Sequence, residues 1–212
     1  MATESKRAYR SRLRTEQAAA TRARILDVAG ELFGTRGYAG TTLAAIARAA
    51  GVSAETVQAN GPKAQLLLAA VERAAAGEEG RESLVDRPMG QAIATEPDPE
   101  RQLTRLVDLI AWSNARTWAL WRQFGAASAA DPVVREAYDG LIGRIHADWH
   151  RTVAMLEDRG LVAAGTDREQ LAMTLWLLCM PDTYQRLVVE AGWSDAAFKR
   201  WLLARIRREL AG

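Results

Sequence analysis

Residues 21–56 read TRARILDVAGELFGTRGYAGTTLAAIARAAGVSAET, and the way this stretch folds decides the architecture of the chain. Ile25, Leu26, Ala29, Leu32 and Phe33 recur at helical spacing and form one apolar face. Thr21 stands where a hydroxyl caps a helix start, and Gly37 stands just past the end, where a left-handed residue closes a helix at low cost. A second, short helix follows with Thr41 or Thr42 as its cap and Leu43, Ile46, Ala47 and Ala50 facing inward. Gly51 permits a tight turn. A third helix, SAETVQA, then starts at Ser53 with Glu55 in its first turn, and Asn60-Gly61-Pro62 stops it. Two short helices joined by a glycine turn and braced by a longer one make a helix-turn-helix layout.

Working outward, KAQLLLAAVERAAAGEE (63–79) is a longer fourth helix leading away. Residues 80–99 are broken, with a short helix near 89–95. Asp98 or Pro99 opens a long amphipathic segment, Asp131-Pro132 opens another, and a third, from 166, is interrupted by Pro181. SDAAFKRWLLARIRREL (194–210) closes the pattern. Alanine, leucine and arginine dominate, β-branched runs are rare, and 49% of the residues are hydrophobic. The fold class expected is all-α: an N-terminal three-helix helix-turn-helix domain and a larger C-terminal helical domain, to which the resemblance described below assigns ligand binding and dimerisation. The boundaries read are 1–16 for a flexible basic arm, 17–64 for the helix-turn-helix domain and 65–212 for the remainder.

Net charge is only +2, but residues 1–63 hold ten Lys and Arg against five acids. A basic N-terminal third on an acidic body points to a polyanionic partner. Cys179 is the one cysteine, set in the apolar run LWLLCM, and reads as buried and inert. A single cysteine, no signal-peptide pattern at the N-terminus and no run long enough to span a bilayer imply a cytoplasmic protein without a membrane partner. Two histidines and no Gly-rich phosphate loop leave no hydrolase or transferase constellation, so no enzyme activity and no cofactor are expected. His146 and His150 lie four apart on one face without a third ligand, so no metal is expected.

The segments ILDVAGELF, RGYAGTTL, IARAAGVS and Thr56, continuing to Lys63, Leu66 and Leu67, closely resemble the N-terminal domain of the TetR family of transcriptional repressors. The C-terminal text from LWLLCMPDTYQRL through GWS to the last helix is similar to a subgroup of that family. The resemblance implies a homodimer that binds a double-stranded DNA operator and releases it when a small-molecule effector binds. Two departures stand out. Family members usually carry a Tyr pair after the GVS motif, where this chain has Val57, Gln58, Ala59 and Asn60, and the exit to the lysine is one residue shorter. Many also carry Arg where this chain has Ala44.

The residues expected at DNA are therefore Thr41, Thr42 and Ser53 as hydroxyl donors to phosphates; Ala54, Glu55, Thr56, Gln58 and Asn60 on the recognition helix; Arg48 and Lys63 near the backbone; and Arg7, Arg10, Arg12 and Arg14 on the arm. Gln58 has the donor and acceptor that pair with adenine, and equally reaches a phosphate. Ser53, Thr42 and Glu55 read also as plain helix-start residues. The seven tryptophans offer broad apolar contact with one N–H each. With the family's ligand site in mind, Met89, Trp112, Trp118, Trp121, Phe124, Trp149, Met173, Trp176 and Tyr184 are the candidate lining residues. Dimerisation is expected from 167–190 and 194–210, with help from 133–160. A fold that keeps its ligand site but has lost sequence-specific DNA binding is the alternative.

Overall fold

The computed structural model describes residues 2–80 and 82–212, with side chains from residue 13 onward. All regular structure among the described residues is helical: α1 (Ala2–Gly40), α2 (Leu43–Ala50), α3 (Ala54–Ala59), α4 (Lys63–Ala76), α5 (Pro88–Ala94), α6 (Pro99–Ser128), α7 (Pro132–Asp158), α8 (Arg168–Cys179), α9 (Pro181–Tyr184, continued as a π-helical turn Gln185–Glu190) and α10 (Asp195–Ala211). Helix α1 reaches back to Ala2, through the stretch expected to be a flexible basic arm. Its regular course breaks at Gly37 (φ 74°), as the sequence leads one to expect. No helix among the described residues is long and apolar enough to cross a membrane.

The starts follow local chemistry. Thr42, Ser53, Asp98, Asp131, Asp167 and Ser194 each accept a hydrogen bond from a backbone N–H in the first turn of α2, α3, α6, α7, α8 and α10. Proline occupies the first turn of α5, α6, α7 and α9, where its missing N–H costs nothing. At Pro181 the same residue breaks the chain: Met180 is extended (φ −66°, ψ 152°) and α8 ends. The carbonyls released there are satisfied by side chains. Asn114 of α6 donates to Cys179 (3.0 Å) and Met180 (3.4 Å), and Thr183 donates to Leu177 (2.7 Å).

Two apolar cores are strung along α6, which at ~1.5 Å per residue is long enough to serve both. The first joins Ile25, Phe33, Ile46, Val57 and Leu66 of α1–α4 to Leu120, Trp121 and Phe124 at the far end of α6. The second joins Leu103, Val107 and Ala111 to Leu156 of α7, Leu175 of α8 and Phe198, Leu202 and Ile206 of α10. The first core runs across the boundary expected at residue 64, because Leu66, Leu67, Ala70 and Val71 of α4 are buried in it. Full burial of side chains of this size stabilises by ~1.5–3 kcal/mol each, so α1–α4 are clamped to the far end of α6.

Candidate nucleic-acid interface and effector cavity

Helices α2 and α3 make the expected turn. Gly51 is left-handed (φ 66°, ψ 36°) and the N–H of Val52 returns to Ala47 at 3.0 Å. Ile46, Ala47, Ala50 and Val57 face the core, which leaves Ala44 and Arg48 of α2 and Ala54, Glu55, Gln58 and Ala59 of α3 exposed. Thr42 is exposed and caps α2 through Ala45 (3.1 Å). Ser53 caps α3 through Thr56 (3.1 Å), and the two hydroxyls also lie 3.1 Å apart. Glu55 is fully exposed, and its carboxyl is held below the ordinary value by its own backbone N–H and by Ser53.

Two residues expected at DNA have their polar groups bonded within the protein. Thr41 is buried, and its hydroxyl donates to the carbonyls of Gly37 (2.8 Å) and Leu32 (3.1 Å). It closes the end of α1 and offers nothing to a phosphate; Thr42, one position on, takes the cap. Asn60 is the C-terminal cap of α3: its amide donates to the Thr56 carbonyl at 2.7 Å, and its own carbonyl accepts from Arg22 at 2.7 Å. Lys63 sits partly buried at the start of α4, its Nζ 4.2 Å from the centre of the Tyr38 ring. Burial lowers its pKa, against the opposing pull of Asp131. Arg14 is exposed on α1. The side chains of Arg7, Arg10 and Arg12 lie outside those described.

Between the two cores lies a cavity of about 330 Å³, walled by α4, α5, α6, α7, α8 and a strap formed by Gly80 and residues 82–87. Of the nine residues expected to line it, Trp121, Trp149 and Trp176 do. The other six do not. Trp112 is 41% exposed under Arg116, and Trp118 packs into the second core with Arg122 over it. Phe124 is sealed in the first core against Trp121 and Tyr138. Tyr184 packs edge-on to Phe198 at 5.1 Å. Met173 belongs to the second core, and Met89 lies on α5 away from the lining.

The charged lining groups went unnoticed in the sequence, and Glu72, Arg87, Arg144 and Asp148 each have a protein partner. Glu72 binds Arg144 at 2.5 Å and accepts from the Gly80 N–H at 3.2 Å. Its pKa is nevertheless raised, burial outweighing the lowering by Gly80, Arg144 and Arg87. Buried Arg87 donates to the carbonyls of Glu78, Gly80 and Glu82 and binds the Glu78 carboxylate. Asp148 accepts from the Ser83 hydroxyl (2.5 Å) and the Leu84 N–H. These bonds lace the strap to α4 and α7. Gly90 of α5 lets the strap lie close: a Cβ there would stand 2.1 Å from the Leu84 carbonyl oxygen. The Nε1 of Trp176 is buried without a partner. Cys179 is also at the cavity wall, and burial pushes its thiol far up.

The two histidines do not converge. His146 lies edge-on to Trp176 at 4.4 Å, while His150 pairs with Glu169 at 3.4 Å. Among the described residues no group of three His, Cys, Asp or Glu is placed to hold a metal.

Residues 25–59 match the family model of bacterial regulatory proteins of the tetR family. No curated protein matches the chain by sequence. Solved structures match along nearly its whole length. A transcriptional regulator from Saccharomonospora viridis, in complex with choline, is 25% identical over 89% of this chain and 96% of its own, with a TM-score of 0.67. A TetR-family regulator from Mesorhizobium loti is 25% identical over 92% and 96%, with a TM-score of 0.69. One from Rhodococcus shares the fold at 16% identity over 90% and 98%, with a TM-score of 0.71. By the match over residues 25–59 and by its whole-chain fold, the chain is similar to transcriptional regulators of the TetR type.

Proposed function

We propose that this TetR-type protein is a cytoplasmic transcriptional repressor that binds a near-palindromic operator as a homodimer and leaves it when a small, largely apolar ligand fills the cavity. The observation that carries the DNA half is the division of α3. Val57 is buried and fixes the helix, while Ala54, Glu55, Gln58 and Ala59 face solvent beside exposed Arg48 of α2. A helix held by one buried residue and open along the rest of its surface fits a major groove. Gln58 is its longest uncharged side chain and is the base reader. Thr42, Ser53, Arg48, Arg14 and the arm arginines serve the backbone.

The ligand half rests on the cavity. Its three tryptophans and aliphatic walls suit an apolar or aromatic body. Glu72 is ion-paired with Arg144 and Arg87 with Glu78, while Asp148 accepts from Ser83 and Leu84, so a neutral ligand enters without stranding these groups. The Saccharomonospora viridis relative was captured with choline; here Arg144 takes up Glu72, and Ser83 and Leu84 take up Asp148, which favours a neutral body over a cation. The dimer rests on exposed Leu177 of α8 and Val189 of α9, apolar side chains that a second copy would cover. Two recognition helices ~34 Å apart then meet successive grooves. The ligand must bind the released state more tightly than the DNA-bound one.

A selection of genomic fragments with the purified protein tests this reading. The expected result is enrichment of one palindromic motif, bound more weakly by Gln58→Ala. A second reading, a ligand-binding protein that has lost its operator, is favoured by the six-residue length of α3 and by Asn60 spending its amide on the end of that helix. Enrichment of no motif would establish that second reading.

A further inference from the structure

Helix α3 has little of its own to hold it in place. It is six residues long, under two turns, and only Val57 is buried. Its C-terminal end is gripped from outside. Arg22 of α1 donates from Nη1 to the Asn60 carbonyl at 2.7 Å, with Oδ1 of the same residue at 3.4 Å. The other edge of that guanidinium is forked onto Glu79, with Nε to Oε1 and Nη2 to Oε2 both at 2.5 Å. Glu79 lies just beyond α4 in the segment that becomes the cavity strap. Its neighbour Glu78 is bound by Arg87, and its neighbour Gly80 lines the cavity and donates to Glu72. One planar group therefore joins the end of the recognition helix to the cavity wall.

We infer that Arg22 is a positioning residue for α3, and that Glu79 makes its grip depend on where the strap lies. The inference rests on the reading of α3 as the DNA-contacting helix. A guanidinium presents its donors in a fixed plane, so it serves Asn60 and Glu79 together only while the two stay in register. A ligand that pushes the strap outward carries Glu79 with it. The fork and the Asn60 contact cannot then both keep their lengths, and α3 loses its outer support. A second tie between α1 and α4, Arg73 to Asp27 at 2.7 and 3.0 Å, reaches no atom of α3. It braces α1 against α4 without gripping α3, and so provides a control.

Both Arg22 and Glu79 are about one-third exposed, so the expected change is modest, on the order of fivefold. Hydrogen exchange on the full chain reads it, comparing wild type, Glu79→Gln, Arg22→Lys and Asp27→Asn, each checked for helix content. In the free protein, exchange in 54–60 should quicken about fivefold in Glu79→Gln and Arg22→Lys and stay unchanged in Asp27→Asn. Wild-type exchange there in Glu79→Gln, or equal quickening in Asp27→Asn, overturns the positioning role. With the selected operator bound, exchange in 78–86 should slow in wild type and Asp27→Asn but not in Glu79→Gln. Slowing that persists in Glu79→Gln, or is missing in wild type, overturns the coupling. Failure to select any operator would refute the DNA-binding reading and the coupling with it, while the free-protein comparison still decides whether Arg22 positions α3.

Discussion

Gly90→Ala separates the strap from the helix it lies on. Gly90 has ordinary helical backbone, so the substitution gains slightly in helix propensity. Against this, the new Cβ would meet the Leu84 carbonyl oxygen at 2.1 Å, the Val85 Cα at 2.7 Å and the Val85 oxygen at 2.8 Å. All three are backbone atoms that no rotamer change can clear. Ordinary contact begins near 3.4 Å, so the strap must retreat by roughly 1.3 Å. That displacement strains the Gln91 amide bond to Val85 (2.9 Å) and the bonds of Ser83 and Leu84 to Asp148. Overpacking of this kind costs ~1–3 kcal/mol. With a net loss of ~2 kcal/mol, a chain of this length melts about 4–8 °C lower. Urea unfolding followed by circular dichroism gives the loss, and hydrogen exchange localises it to 82–87. Stability within ~0.5 kcal/mol of wild type, together with unchanged exchange in the strap, would refute the close packing of Leu84 and Val85 on Gly90.

Thr41→Val deletes the donor to Gly37 and Leu32 and should cost ~1–3 kcal/mol in urea unfolding, whereas Thr41→Ser should recover most of it; equal behaviour of the two would remove the hydroxyl from the end of α1. Glu72 has a folded pKa above its ordinary 4.5, so between those values the native state holds a proton that the unfolded chain has released, and stability falls as pH rises through that window. Glu72→Gln should flatten this fall in urea midpoints taken from pH 4.5 upward, and an unaltered slope would assign it to another group. Buried Cys179 should resist Ellman's reagent in the native protein and react at once in urea; rapid native labelling would mean that the cavity wall opens readily. In sedimentation the protein should run near twice 23.2 kDa, and Leu177→Asp should yield a folded monomer, an outcome that an intact dimer would contradict.

The elements were legible because their signals are local. Asp98, Ser53 and Ser194 stand immediately before helices they cap, Gly37 and Gly51 stand where the chain turns left-handed, and Pro181 falls where α8 stops. Thr41 shows the limit of that code. Either of two adjacent threonines can cap a helix, and only the packing of α1 decides that the first is buried. The site was less legible because its parts are distant in sequence. Trp118 and Trp121 share a helical face by spacing, yet α6 passes between two cores and gives one ring to each side. Arg22 meets Asn60 across 38 residues and Glu79 across 57, and neither pairing leaves a periodic trace. Exposure of Trp112 runs against its hydrophobicity, and no local rule foretells it.

The corner at Pro181 has a consequence for how the interior can be reshaped. Asn114 plugs the carbonyls of Cys179 and Met180, and these residues, with Asn114 and Pro181, also form part of the cavity wall. The hollow is therefore partly a by-product of a helix that stops early. It is bounded by a joint already sealed by hydrogen bonds, and its walls need not be thinned by small side chains. Sliding the proline along α8 by one turn, with a matching amide on α6, would relocate the recess by ~5.4 Å without removing a methyl group from either core. Cavity shape and core composition are thus separable variables in this scaffold.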